Sequence, residues 1–328
     1  MHKISLNMLN RRILRIKVFK ALYSAVQTWD SSSPVNLAEA TEQFNQSTQA
    51  TRDLYLFMLG AVAPLSTLAG ERLEAAKNKA NPTQEDLHPN TKFADNALAK
   101  YLSEDSEFQK AFTKCKFSWQ QYDLVLKKVL NSVATKDYYK DYMASPQRSL
   151  KEDCALFTKI FEEEFVELEE LSDLLEEMNI WWNDDLAYSL TWCCRTFADL
   201  AAGKNWQLPA LYQSEMLMKS GMDNVEDDKL FAKKLLEYAF CQYADYSDRT
   251  AKLTGGWEKD RLVTTDVCLI VCALAECVYF PNIPLRVSMN EYVEISKFYG
   301  TPKSSVFVNG LLDRLVKGMQ QEGIITKY

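Results

Sequence analysis

The sequence predicts an all-α protein, and three observations lead to that prediction. Apolar residues recur every three or four positions through most of the chain, as they do along one face of a helix. No segment alternates apolar and polar residues in the way a half-buried strand does. Glycine and proline number only 10 and 9 among 328 residues, and most of them stand between the periodic stretches. With 47% hydrophobic and 25% charged residues, the composition is typical of a soluble globular protein.

Breaker residues divide the chain into the individual helices. The clearest breakers are Ser31-Ser32-Ser33-Pro34, Asn81-Pro82, Ser145-Pro146, Gly255-Gly256 and Pro281-Asn282-Ile283-Pro284. The periodic stretches between breakers predict helices near 8–29, 36–48, 51–79, 92–102, 105–114, 117–132, 135–143, 150–178, 183–201, 208–220, 226–252, 258–278, 289–299 and 304–319.

Charge is distributed unevenly along the chain. The net charge is −7, but residues 1–20 contain six lysines and arginines and no acid, whereas residues 151–185 contain two lysines and thirteen acids. An anionic ligand would therefore have to bind a local basic face.

The sequence lacks the residues that several classes of catalytic and metal-binding site require. The two histidines, His2 and His88, stand at the terminus and in a loop-like segment, which disfavours a histidine-dependent nucleophile. Neither a CxxC pair nor a glycine-rich phosphate loop occurs. We therefore expect neither an enzyme, nor a cofactor, nor a metal site. No apolar run has the length of a membrane span and no signal peptide is evident, so we expect a cytoplasmic protein that does not bind membranes.

The first helix is basic and aromatic on one side. From Arg11 it reads RRILRIKVFKALYSAVQTW, and its core stripe is expected to be Leu14, Val18, Ala21 and Ala25 with Leu22 at the edge. Arg12, Phe19 and Tyr23 fall on a neighbouring face, and Arg11 and Arg15 lie between that face and the core. Guanidinium groups beside aromatic rings suit single-stranded RNA, although a basic amphipathic helix with no ligand has the same pattern.

The C-terminal stretch contains an unusual helix, SSVFVNGLLD, over 304–313. Before it, Ser288 and Glu291 have the spacing of a capping box, so a helix is expected to start there and to end at Gly300. Ser304 or Ser305 can cap the next helix, whose buried stripe is expected to be Val308, Leu311, Leu312 and Leu315. Asn-Gly usually marks a turn, yet Gly310 falls on the outer face of this helix, where it would let a ligand approach the backbone.

These motifs together resemble the NusB family of transcription antitermination factors. Arg11-Arg12-Ile13-Leu14-Arg15 followed by Ala21-Leu22-Tyr23 is similar to the family's RRxARxxAxQALY. IPLRVSMNEYVEISKFYG is similar to VPxxVAINEAVELAKxFG, and SSVFVNGLLD is similar to FVNGVLD. The resemblance covers roughly residues 8–29 and 226–318. The chain departs from the family at Leu14, Val18 and Lys20, the last replacing a glutamine.

The resemblance implies a NusB-like helical bundle of two subdomains. It also implies binding to boxA-like single-stranded RNA of ribosomal RNA operons together with the ribosomal protein NusE, followed by loading on the RNA polymerase antitermination complex. Carried over by position, the RNA-binding residues would be Arg11, Arg12, Arg15, Tyr23, Phe307 and Asn309, with Lys303 a weaker candidate. The partner-binding residue would be Glu276.

We expect three segments. Residues 1–30 form the basic first helix of the NusB-like fold, residues 31–225 are a helical insertion, and residues 226–328 form the C-terminal helical domain. EDCALFTKIF at 152–161 is similar to EDDKLFAKKL at 226–235, either through a chance likeness of amphipathic helices or because a helical unit was duplicated. The alternative function is a protein–protein scaffold that keeps the fold without recognising RNA, with the acidic segment 151–185 as a candidate surface for a basic partner.

Overall fold

The computed structural model describes residues 7–213, 228–254 and 263–327. Every regular element in these ranges is helical, which confirms the all-α prediction. The chain forms two compact units, one of residues 1–48 with 210–328 and one of residues 49–209. The N-terminal helix thus belongs to the same unit as the C-terminal helices, and the second unit falls within the proposed 31–225 insertion.

The described residues contain fifteen α-helices and two short 3-10 helices. The α-helices are α1 (Arg11–Gln27), α2 (Leu37–Leu59), α3 (Val62–Lys77), α4 (Gln84–Leu87), α5 (Ala97–Glu104), α6 (Ser106–Cys115), α7 (Asp123–Val133), α8 (Asp137–Ala144), α9 (Leu150–Glu163), α10 (Glu169–Met178), α11 (Leu186–Ala201), α12 (Asp228–Leu253), α13 (Thr264–Tyr279), α14 (Leu285–Tyr299) and α15 (Ser304–Gln321). The 3-10 helices are Trp119–Gln121 and Ile180–Trp182. Most of the helix predicted at 208–220 lies outside the described residues.

In the first unit, α13 is the central helix. It packs against α1, α12, α14 and α15, and each residue from Asp266 to Cys277 is buried. A helix that is apolar on all sides can only be stable when surrounded in this way. The position of α13 explains why the run VCLIVCALAEC is uninterrupted by exposed polar residues.

In the second unit, tryptophans fill the core and bond to backbone carbonyls. The Trp119 ring stacks on Phe57 with centroids 4.3 Å apart, and its Nε1 donates to the Phe57 carbonyl at 2.6 Å. Trp182 Nε1 donates to the Ala50 carbonyl at 2.8 Å. Each indole therefore satisfies its polar atom while its ring is buried.

One described stretch, 37–77, is long and apolar enough over an 18-residue window to cross a membrane, with a mean hydropathy of 1.4. Of that window, 72% is buried inside the protein. Packing within the protein therefore accounts for its apolar character.

The predicted break between 48 and 51 is wrong, because α2 continues to Leu59. The Ser47 and Thr48 hydroxyls bond back to helix carbonyls, each at 2.8 Å, so these polar side chains do not interrupt the helix. The helix ends at Leu59 and is followed by Gly60, whose added Cβ would meet the ring of Phe112.

The predicted helix start at Ser288 is also wrong, because α14 begins at Leu285 after Pro284. Proline cannot donate a backbone hydrogen bond, so the start of a helix is a favourable place for it. The Ser288 hydroxyl is buried and bonds elsewhere. Neither Ser304 nor Ser305 caps α15, since Lys303 occupies the N-cap position without a side-chain hydrogen bond. The prediction that α15 runs through Asn309-Gly310 is confirmed, and its predicted core stripe is buried.

The two similar segments each contribute to a packed helix pair, α9 with α11 and α12 with α13. In the first pair, α10 and a 3-10 helix lie between the partners. In the second, residues 226–227 and 255–262 lie outside the described residues. Duplication therefore stays a hypothesis.

Gly300 ends α14 at a crowded position. An added Cβ would overlap the Cβ of Ser304 and lie 2.7 Å from the Ser296 carbonyl oxygen. We expect Gly300→Ala to lower the free energy of unfolding by about 1–3 kcal/mol, because backbone must move. Gly318→Ala is the control, since nothing apart from its chain neighbours and its own helix backbone lies within 4 Å of its added Cβ and alanine favours a helix. Urea denaturation of both variants tests this, and equal stability would contradict it.

Candidate nucleic-acid interface

The core stripe predicted for α1 is confirmed, but one aromatic residue of the basic face is not at the surface. Leu14, Val18, Ala21, Leu22 and Ala25 are all buried. Phe19 is 3% exposed, because the rings of Tyr299 and Tyr23 cover it at centroid distances of 5.6 and 6.2 Å. Tyr23 itself is half-buried and is the outer ring of this group.

Arg15 and Glu276 form a buried bidentate ion pair. Arg15 Nε and Nη2 each donate to the Glu276 carboxylate at 2.7 Å. Ser288 Oγ and the Tyr292 hydroxyl donate to the same carboxylate at 2.7 and 3.2 Å. Burial, and then the Glu276 charge, raises the pKa of Tyr292, so the phenol keeps its proton and remains a donor.

This burial changes the roles of two predicted site residues. The Arg15 side chain is 4% exposed and that of Glu276 is 0% exposed. The burial does not support direct contact of Arg15 with RNA or of Glu276 with a partner protein. Both instead hold α1 against α13 and α14.

Arg12 is also bidentate to a carboxylate, but at the surface. Its Nε and Nη2 donate to Glu291 at 2.8 Å each, and the side chains are 52% and 21% exposed. The hydrogen bond from Arg12 lowers the pKa of Glu291, so the carboxylate is ionised at neutral pH. A guanidinium has five N–H groups, so the exposed part of Arg12 can still donate to a phosphate.

Arg11 lies on another side of the helix. Its Nε contacts Asp228 Oδ1 at 3.0 Å, and its guanidinium carbon lies 5.1 Å from the centre of the Phe231 ring. Each of the three arginines predicted to bind RNA therefore has a carboxylate partner.

Two residues that sequence analysis missed complete the aromatic end of this face. Lys20 Nζ lies 5.3 Å from the centre of the Tyr299 ring, and Tyr299 covers Phe19. The one signal in the sequence that could have identified Lys20 was the substitution of lysine for the family's glutamine at this position. Lys303 is exposed in the connection that follows Tyr299.

The remaining predicted residues lie on α15, beside a shallow groove of about 400 Å³. Phe307 and Gly310 line the groove together with Leu253 and Arg314. Asn309 is exposed, and apart from its chain neighbours and its own helix backbone nothing lies within 4 Å of a Cβ added at Gly310. Gly310 lies on the outer face, as predicted.

The other chemistry-bearing residues are dispersed. Within the part of the chain that the structure describes, no three His, Cys, Asp or Glu side chains could together hold a metal ion. All eight cysteines are free thiols, and six are buried. Cys241 is exposed.

Comparison with known proteins relates the first unit to one family. The NusB family model matches residues 206–317. The transcription antitermination protein NusB of Chloroherpeton thalassium is 36% identical over 99 residues, covering 30% of this chain and 47% of that protein. The proteins of the same name from Methylacidiphilum infernorum and Listeria monocytogenes are 33% and 34% identical over 118 and 110 residues. Those two matches cover 82% and 86% of the relatives, and 33% and 32% of this chain.

The chain thus spans about half the length of the first relative and more than four-fifths of the other two. No solved structure matches it. The family model begins after α1, but α1 packs against α12 and α13 within the unit that contains the matched residues.

The two ion pairs of α1 are predicted to differ in their contribution to stability. Arg15→Met should lower the free energy of unfolding by about 3–5 kcal/mol, because it leaves the Glu276 charge buried without its cationic partner. Arg12→Met, at an exposed pair, should change it by at most about 1 kcal/mol.

Denaturant unfolding of both variants measures this difference. The double variant Arg15→Met/Glu276→Met should recover most of the loss, because no lone charge remains. A loss in Arg15→Met as small as that in Arg12→Met would contradict the structural role of the buried pair.

Proposed function

The chain belongs to the NusB family, and we propose that it is a cytoplasmic transcription antitermination factor that binds boxA-like single-stranded RNA together with the ribosomal protein NusE. The proposal extends to association with the RNA polymerase antitermination complex on ribosomal RNA operons. The matched relatives are named transcription antitermination proteins. The observation that carries the RNA part is a set of cations and half-exposed rings on α1, α15 and the connection before α15, in which Arg12 and Lys303 are exposed and Lys20 is half-buried.

Each of these residue types has a use in binding a single strand. Arg12, Lys20 and Lys303 can neutralise phosphates, while the rings of Tyr23 and Phe307 offer surfaces on which bases stack. The Asn309 amide has both donors and an acceptor and can bond to a base edge. Arg15 and Glu276 would act indirectly, by fixing the position of α1.

One observation favours the scaffold alternative. Arg11, Arg12 and Arg15 are all paired with carboxylates, which reduces the positive charge that the first helix offers to an RNA strand. A protein that kept this fold for binding other proteins would have no need of unpaired arginines. RNA affinity separates the two functions.

The proposed contacts predict two kinds of variant. Arg12→Ala should weaken binding to a boxA-like RNA and flatten its salt dependence, because a phosphate contact is lost. Phe307→Ala and Asn309→Ala should weaken binding with little change of slope, because they remove stacking or base contacts. Fluorescence anisotropy at several salt concentrations, with and without NusE, measures both effects. Undetectable RNA affinity even with NusE would favour the scaffold.

Gly310 is predicted to lower the stability of the protein while allowing a ligand to approach the backbone of α15. Gly310→Ala should raise the free energy of unfolding by about 0.5–1 kcal/mol, since it replaces a glycine inside a helix. It should also lower RNA affinity, because the methyl group occupies the space beside the strand. Gly318→Ala, in the same helix with equally open surroundings, is the matched control. If both variants retain full RNA affinity, no close approach at Gly310 is needed.

A further inference from the structure

An aromatic pocket lies beside α1, on the side that carries Arg11. It has a volume of about 210 Å³ and lies between the N-terminal half of α12 and the end of α13. Its walls include the rings of Phe231, Tyr238, Tyr279 and Phe280. The resemblance to the NusB family assigned no residue of this pocket except Arg11.

The rings form a connected surface that is open to solvent. Tyr238 and Tyr279 stack with centroids 3.9 Å apart and planes inclined by 15°. Phe280 meets Phe231 edge-on at 5.0 Å. Tyr238, Tyr279 and Phe280 are only half-buried, and Leu230 at the rim is 50% exposed. Water therefore contacts apolar surface here, and covering that surface with a planar ligand would be favourable.

Two basic side chains line the same pocket, which gives it a preference for anionic ligands. Lys234 is exposed on α12, and Arg11 lies above the Phe231 ring. Asp228, the carboxylate that contacts Arg11, is 7% exposed and does not line the pocket. The pocket thus offers flat rings and cations together.

The far wall of the pocket is fixed by a lysine from the end of the chain. Lys327 Nζ donates to the carbonyls of Phe280 and Ile283 at 2.7 Å each, and to that of Glu276 at 3.3 Å. This ammonium group caps the C-terminal end of α13 and holds the connection 280–283 in place. A pocket with a fixed wall loses less conformational entropy when a ligand binds.

We propose that this pocket binds one nucleotide of single-stranded RNA, with its base against the aromatic rings and its phosphate near Lys234 and Arg11. The inference rests on the proposed function, in which the RNA strand contacts Arg12. Arg11 is the direct neighbour of Arg12, so a strand bound at Arg12 would need only to cross α1 to reach the pocket. Base stacking beside cations is the usual chemistry of single-strand binding. The two cations favour this ligand over an apolar peptide.

The test compares a boxA-like RNA with versions extended by a few nucleotides at the 5′ or the 3′ end. Wild-type protein should bind one of the extended RNAs about five-fold more tightly or better, the effect expected of one stacked base. Tyr238→Leu should lose this gain while binding the short RNA as before, and Tyr238→Phe should retain it. Lys234→Gln should lose part of the gain, whereas Lys233→Gln, an exposed neighbour outside the pocket, should keep all of it.

The outcomes separate the two proposals. If no RNA binds, with or without NusE, both the proposed function and the pocket are overturned. If the short RNA binds but neither extension helps, or if Tyr238→Leu and Lys234→Gln keep the gain, the pocket proposal alone fails. If these variants weaken binding of NusE and leave RNA affinity unchanged, the pocket is a protein contact and the proposal is wrong.

Discussion

The first unit depends on the buried ion pair between Arg15 and Glu276. These residues are 261 positions apart in sequence, and their contact joins α1 to the central helix α13. Burying two charges is unfavourable unless each is paired with good geometry and the remaining hydrogen-bonding positions are filled. Ser288 and Tyr292 of α14 fill those positions, so three helices must be correctly placed at once for the pair to be stable.

That constraint determines which side of α1 reaches solvent. With Arg15 directed into the core and Phe19 covered by Tyr299, the residues that this face of α1 leaves accessible include Arg12, Lys20 and Tyr23. Arg11, one position away from Arg12, is turned toward the aromatic pocket on another side. Three arginines that lie within five residues of sequence are thus divided among the core, one surface and a pocket.

Periodicity predicted the features that depend on a single helix. It identified the core stripe of α1 and the continuation of α15 through Asn309-Gly310, because an apolar stripe is a local property. Periodicity could not identify which residues pair with Arg15 on the polar side of α1, since Glu276 and Ser288 come from distant segments. For the same reason Ser288 resembled a helix cap. Burial of a polar residue depends on the tertiary partner and has no local pattern.

The difference between the two arginine pairs bears on how an RNA strand could bind at all. Separating the exposed Arg12–Glu291 pair costs little free energy. Separating the buried Arg15–Glu276 pair would leave two unpaired charges in the core. Glu291 is ionised at neutral pH and would need another cation if a phosphate took its place on Arg12. Arg15 Nη1 already lies 3.8 Å from Glu291 Oε2. Under the proposed function, a phosphate could therefore replace the carboxylate at Arg12 while Arg15 retains Glu291 and the core stays closed.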